Sequence, residues 1–257
     1  MKQSLKLLVL VPIFALVACE NLGKEADAET IAKYQAGMAT VQSPANITFS
    51  VKMSGKTGQN HEAIVSEYKM KKAENGDVYY YSYSKQGKDE GKAEVYRVQN
   101  EKYEEVTYIK SLSEGKEAVL VYVKKDNDDY STQTSTYVLS AGIAPAMFYE
   151  MLADPEEAAD LMNADADGVE YKYYSNGEKN LSVKATVKEM QPDEDEEEYA
   201  KSGSMTITYN DYLLSSFSAS SKSNLGNNST ASGKASYGKV SISLPSGWEK
   251  SIVKLAA

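Results

Sequence analysis

The chain has 257 residues, with 28 Lys and Arg against 37 Asp and Glu, a formal net charge of −9. Nucleic-acid binding needs a basic patch, so this balance argues against nucleic acid as a partner, and it gives no electrostatic attraction to anionic lipid headgroups. One cysteine and one histidine, Cys19 and His61, leave no internal disulfide, no zinc site of the His/Cys type and no Ser-His-Asp or Cys-His arrangement, and no cofactor is implied.

In chain order, residues 1–18 have the three parts of a secretory signal. Lys2 and Lys6 give a positive start, residues 7–14 an apolar middle, and Leu16 to Ala18 a small-residue cleavage site. The apolar middle is shorter than the roughly 20 residues that a membrane-spanning helix needs. The next residue is Cys19. The sequence Leu16-Val17-Ala18-Cys19 resembles the lipobox of bacterial lipoproteins. That resemblance implies cleavage between Ala18 and Cys19, a diacylglycerol on the Cys19 thiol, and a lipid-anchored location on the extracytoplasmic face of the cell membrane. The competing reading is an ordinary signal peptide with a chance cysteine. Cleavage removes two lysines and no acid, taking the net charge from −9 to −11. Attachment then rests on acyl chains, at about 0.8 kcal/mol per buried methylene.

Residues 19–27 are polar and charged and read as a flexible tether. Asp27 is placed to cap a helix over 28–41, where Ile31, Tyr34, Met38 and Val41 recur at three- and four-residue steps, and Ser43-Pro44 stops it. Strands follow. Ile47, Phe49, Val51 and Met53 alternate with polar residues. Further strands read at 63–70, 78–84, 93–98, 102–109 and 118–123, joined by hairpins at Gly- and Asn-rich turns, one of which holds His61. In 78–84, Tyr79, Tyr81 and Tyr83 share a face. Tyrosine is over-used here, 20 against 4 Phe and 1 Trp, as suits a broad sheet with partly wet faces.

The pattern changes after residue 124. Residues 131–140 are ambiguous. Pro145 fits the first turn of a helix carrying Met147, Phe148, Met151 and Leu152, and Asp154-Pro155 restarts a second helix carrying Leu161 and Met162. Strands resume at 169–174, 181–189, 204–209, 212–221 and 234–244. The acidic stretch 192–198 reads as a solvated loop rather than a calcium site, because it lacks the spaced ligands and glycine of an EF-hand. Residues 224–233, rich in Asn, Ser and Gly, read as a mobile insert. No carboxylate pair is marked out for acid–base work, so a hydrolase is not supported.

This order implies an α+β fold in one domain over 28–257: about 11 antiparallel strands, an N-terminal helix and a mid-chain helical insert. It resembles the LolA-like envelope proteins, which include the LppX-type lipoproteins. That resemblance implies a curved half-barrel with helices over its concave face, holding a lipid, an acyl chain or a lipidated partner without catalysis. Phe49, Val51, Met147, Phe148, Met151 and Leu152 would line the apolar pocket. The same helices also read as a plug filling a core. The alternative function is a structural or adhesive surface lipoprotein that binds a protein or glycan through the tyrosine-rich face.

Overall fold

The computed structural model describes residues 22–57, 60–86, 90–99, 105–113, 116–124, 136–154, 157–158, 168–188 and 200–246. The lipobox, Leu161, Met162 and the acidic stretch 192–198 lie outside them. Among the described residues the elements run β1 (Lys24–Glu25), α1 (Ala28–Met38), β2 (Asn46–Thr57), β3 (Asn60–Lys72), β4 (Val78–Gln86), β5 (Glu90–Gln99), β6 (Glu105–Ser113) and β7 (Lys116–Lys124). After these come α2 (Thr136–Ala153), β8 (Val169–Ser175), β9 (Leu181–Val187), β10 (Ala200–Asn210), β11 (Leu213–Ser223) and β12 (Asn228–Ser236). The sheet order is β1-β8-β9-β10-β11-β12-β2-β3-β4-β5-β6-β7. The fold is α+β, with the antiparallel sheet expected from the hairpin spacing and a two-residue β1 added at one end.

The chain forms two compact units, one of Met1–Gln42, Lys52–Ala63 and Met151–Lys234, the other of Ser43–Val51, Ile64–Glu150 and Ala235–Ala257. In the first, β9 and β10 send Leu181, Val183, Ala185, Val187, Met205, Ile207 and Tyr209 to one buried face. Fully burying an apolar side chain of this size contributes about 1.5–3 kcal/mol. Helix α1 starts where its cap predicts: the Asp27 side chain accepts the Thr30 N–H at 2.8 Å, which holds the Asp27 carboxyl below its ordinary range. The helix stops at Met38, three residues short of the expected end. Val41 therefore leaves the apolar stripe and is exposed, while Tyr34 is 1 % exposed.

Several boundaries differ from the sequence reading. The segment read as a tether is pinned at Lys24 and Glu25, which pair with Ser175 and Tyr174 of β8. His61 is the second residue of β3, not part of a loop, because the ladder runs closer to the hairpin tip than its glycines suggest. Pro145 lies inside α2, nine residues after its start. A proline there removes one helical hydrogen bond at a cost of about 3 kcal/mol, and the cue of proline at a helix start failed because apolar residues on both sides carry the helix through it. At residue 154 the expected restart is visible in one turn: Ala158 N–H donates to the Asp154 carbonyl at 2.9 Å.

The last strand is β12 at Asn228–Ser236, not 234–244, and it occupies most of the stretch read as mobile. Its register with β11, Lys222↔Asn228 through Ser216↔Lys234, follows directly from the turn around Gly226, whose φ is +82°. Ala231 and Gly233 are buried while Thr230, Ser232 and Lys234 are exposed. The period of two is present but written in small residues. Beyond the strand, Val240 is 5 % exposed and its N–H donates to Asn46 Oδ1 at 3.3 Å.

The β10–β11 turn is also displaced. Tyr212 belongs to the turn, not to the strand. Asp211 and Tyr212 both have positive φ, 50° and 65°, as a tight hairpin turn of this hand requires. A tyrosine in that region is unfavourable, and other contacts hold it. Tyr212 N–H donates to the Lys179 carbonyl at 3.0 Å, Asp211 N–H donates to Asn180 Oδ1 at 3.1 Å, and the Tyr212 ring packs 5.2 Å from Tyr34. A Cβ on Gly37 would lie 2.5 Å from Cζ of that ring. Gly→Ala inside a helix normally stabilises by roughly 0.5–1 kcal/mol. Here overpacking costs about 1–3 kcal/mol, so Gly37→Ala should lower stability in urea denaturation. A stabilised variant would show that Tyr212 does not occupy this place.

Candidate functional site

The residues expected to line an apolar site fall in both units. In the unit holding β4 and β5, β2 presents Ile47, Phe49 and Val51 on one buried face, at 5 %, 0 % and 2 % exposure. Phe49 meets α2 through Phe148 at 6.3 Å and Tyr149 at 5.5 Å between ring centres, the latter edge to face. Tyr149 reaches Tyr68 of β3 at 5.8 Å, and Tyr68 stacks on Tyr80 of β4 at 6.5 Å. Such ring pairs contribute about 0.5–1.5 kcal/mol each beyond their burial. The Tyr149 hydroxyl is 3.3 Å from that of Tyr237.

Over residues 145–153, the buried side of α2 is Pro145, Ala146, Tyr149 and Leu152. The expected face was Met147, Phe148, Met151 and Leu152. Phe148 and Met151 are half-buried, and Met147 is 47 % exposed. Phe49 and Phe148 are thus brought together and Val51 shares the Phe49 face. Met147 points outward, and Met151 and Leu152 belong to the other unit. Tyr149, Tyr68 and Tyr80 were missed. The signal for Tyr149 is the Ala146-Tyr149-Leu152 spacing, hidden because tyrosine reads as half polar.

In the other unit, Leu152 is 0 % exposed and its carbonyl accepts the Tyr209 hydroxyl at 2.8 Å. Tyr34 lies 6.4 Å from Tyr209. Its hydroxyl is buried and finds no hydrogen-bond partner among the described residues. Burial, and secondarily the neighbouring tyrosine, pushes the Tyr34 hydroxyl well above its ordinary range. Tyr209 is raised by burial first and then by Tyr34, Asp154 and Tyr173, and Tyr149 is raised by burial first. At neutral pH these groups are protonated donors, not bases. In each unit apolar groups are packed around tyrosine hydroxyls that stay protonated. Among the described residues no cluster of three His, Cys, Asp or Glu stands ready for a metal, and no helix is long and apolar enough to cross a membrane.

No protein-family model matches the chain, and no curated protein matches it. Among solved structures it is similar to a DUF1329 family protein from Desulfovibrio piger, at 12% identity and a TM-score of 0.28, over 85% of this chain and 96% of that one. It is also similar to a domain from Vibrio parahaemolyticus described as an outer membrane lipoprotein-sorting protein, at 8% identity and a TM-score of 0.28, over 89% of this chain and 100% of that one. Likenesses of this size carry no argument about function.

Two tyrosine variants separate the roles inside this core. Tyr209→Phe leaves the Leu152 carbonyl without its donor and should cost about 1–3 kcal/mol in urea unfolding, while Tyr34→Phe removes an unpartnered hydroxyl and should be neutral or stabilising. The raised pKa values also fix an alkaline limit. A tyrosine whose folded pKa is raised contributes fully below its unfolded value near 10 and loses that contribution as pH rises toward the folded value. Stability should therefore fall above about pH 10, with buried tyrosinate absorbance appearing together with unfolding. Tyrosinate appearing in the intact fold near pH 10 contradicts the burial.

Proposed function

We propose that this protein is a non-catalytic envelope lipoprotein, anchored through a diacylglycerol on Cys19 after cleavage at Ala18, that holds an acyl chain, a lipid or a lipidated partner against the apolar side of its sheet. The observation that carries the reading is α2. It has 18 residues and a single charge, Glu150, and it is seated through Tyr149 and Leu152 while Met147 stands out to solvent. A helix over a closed core carries a polar outer face. The exposed Met147 suits a segment that covers a chain-like ligand, because methionine adapts to varied ligands. In one unit Phe49, Val51 and Phe148 would supply apolar lining, with Tyr68, Tyr80 and Tyr149; in the other unit Met151 and Leu152 would do so.

The alternative, adhesion to a protein or glycan, is favoured by the other face of β4 and β5. There Tyr81 and Tyr96 lie 5.1 Å apart and Lys69 sits 5.4 Å over the Tyr81 ring. The Tyr79 and Tyr81 hydroxyls already donate to Asp77 and Glu94 at 3.1 and 3.4 Å. That internal satisfaction is why the carrier reading is preferred.

Fluorescent fatty acid titrated into residues 22–257, which keep β1, should bind with an affinity that rises with chain length, at about 25 cal/mol per Å² of apolar surface buried. Met151→Glu should weaken it at least tenfold, by placing a charge among apolar groups. No binding by the wild type sinks the carrier reading and leaves adhesion. For the anchor, Cys19→Ser should move the protein from the membrane fraction to the soluble fraction. Unchanged fractionation overturns the lipid assignment.

A further inference from the structure

The opposite face of β8 and β9 breaks a rule of sheet design. Lys172 and Lys184 are directly opposed across the two strands. Like charges facing each other this way are destabilising, and here they occur in a chain of net charge −9 with acids to spare. Lys172 is drawn aside: its Nζ lies 3.4 Å from Glu25 and 3.5 Å from Glu170, and Glu25 first, then Glu170, raise its pKa. Glu170 is shared with Lys188 at 3.3 Å, and Lys188 first, then Lys172, hold its carboxyl below the ordinary range. Lys184 has no ion-pair partner among the described residues. It borders a polar depression of about 170 Å³ whose other walls are Glu170, Lys172, Tyr174 and Thr186. Thr206 is paired opposite Lys184 on β10, and beside it the buried Ser182 hydroxyl donates to Thr208 Oγ1 at 3.4 Å.

We propose that this depression is a binding site for a phosphate group, held by the Lys184 ammonium with help from Lys172 and the hydroxyls of Thr186 and Tyr174. The oxygens of a tetrahedral phosphate point in more directions than those of a planar carboxylate, as donors on two strands require, and charge-assisted hydrogen bonds to an anion are the strong ones. Glu170, on the same wall, opposes the ligand and weakens the site. The inference is independent of the acyl-chain reading, because it concerns the other face of the sheet. A phosphate here belongs to a phospholipid headgroup or to a soluble phosphate ester.

The test is calorimetric titration of inorganic phosphate into the full chain in neutral detergent at low salt. Saturable binding is expected. Lys184→Gln should weaken it by about tenfold or more, Lys184→Arg should keep most of it, and Glu170→Gln should tighten it, all with attenuation by added chloride. The same titration in vesicles then identifies the source. If headgroups fill the site, phosphate binding disappears in phosphatidylglycerol vesicles and persists in vesicles of a glycolipid that carries no phosphate. If the ligand is soluble, it persists in both. Either pattern upholds the site. Absence of saturable binding in detergent, or Lys184→Gln binding phosphate as the wild type does, overturns it.

Discussion

An antiparallel ladder with a side-chain period of two can send its apolar residues to one face only, and that face must then be covered. The chain meets this constraint without an internal disulfide, since its only cysteine is Cys19. Stability has to come from what lies on Ile47, Phe49 and Val51 in one unit and on Val183, Ile207 and Tyr209 in the other. Tyrosine supplies much of the cover. Tyr34, Tyr68, Tyr149 and Tyr209 are each 6 % exposed or less. Their rings bring aromatic area, and their hydroxyls have to be satisfied or left unpartnered at a cost. Tyr209 and Tyr149 find partners, and Tyr34 finds none among the described residues.

How much of this was legible in the sequence depended on how each signal was written. The alternation of Ile47, Phe49 and Val51 was plain because large apolar residues stand against Thr48, Ser50 and Lys52. The Asp27 cap was plain because a carboxylate before a helical stripe has one common use. β12 carries the same alternation, but in Ala231 and Gly233 against Thr230 and Ser232, and small residues read as loop. In α2 the apolar residues run nearly all round, so no single stripe stood out, and the register was set instead by which ring fits against Phe49. Tyr212 was read as a strand residue because its conformational cost is borne by Tyr34, Lys179 and the bare backbone of Gly37, none of them near it in sequence.

The two faces of the sheet ask different things of the chain. In each unit one face is built from rings and aliphatic groups with protonated hydroxyls among them. On the other, β8 to β10 carry lysines and hydroxyls, with charges paired at Glu170 and, among the described residues, none paired with Lys184. A sequence violates its local rules where function competes with stability, and we propose the opposed lysines and the outward Met147 as two such places.

The central claim is that the apolar face holds a hydrocarbon chain. Native mass spectrometry of the untagged protein purified from the cells that make it tests it most directly. The account predicts a species heavier than the anchored chain by the mass of a non-covalent lipid or fatty acid, released on mild activation. A spectrum showing the anchored chain alone, or bound only to a protein or glycan, would contradict it.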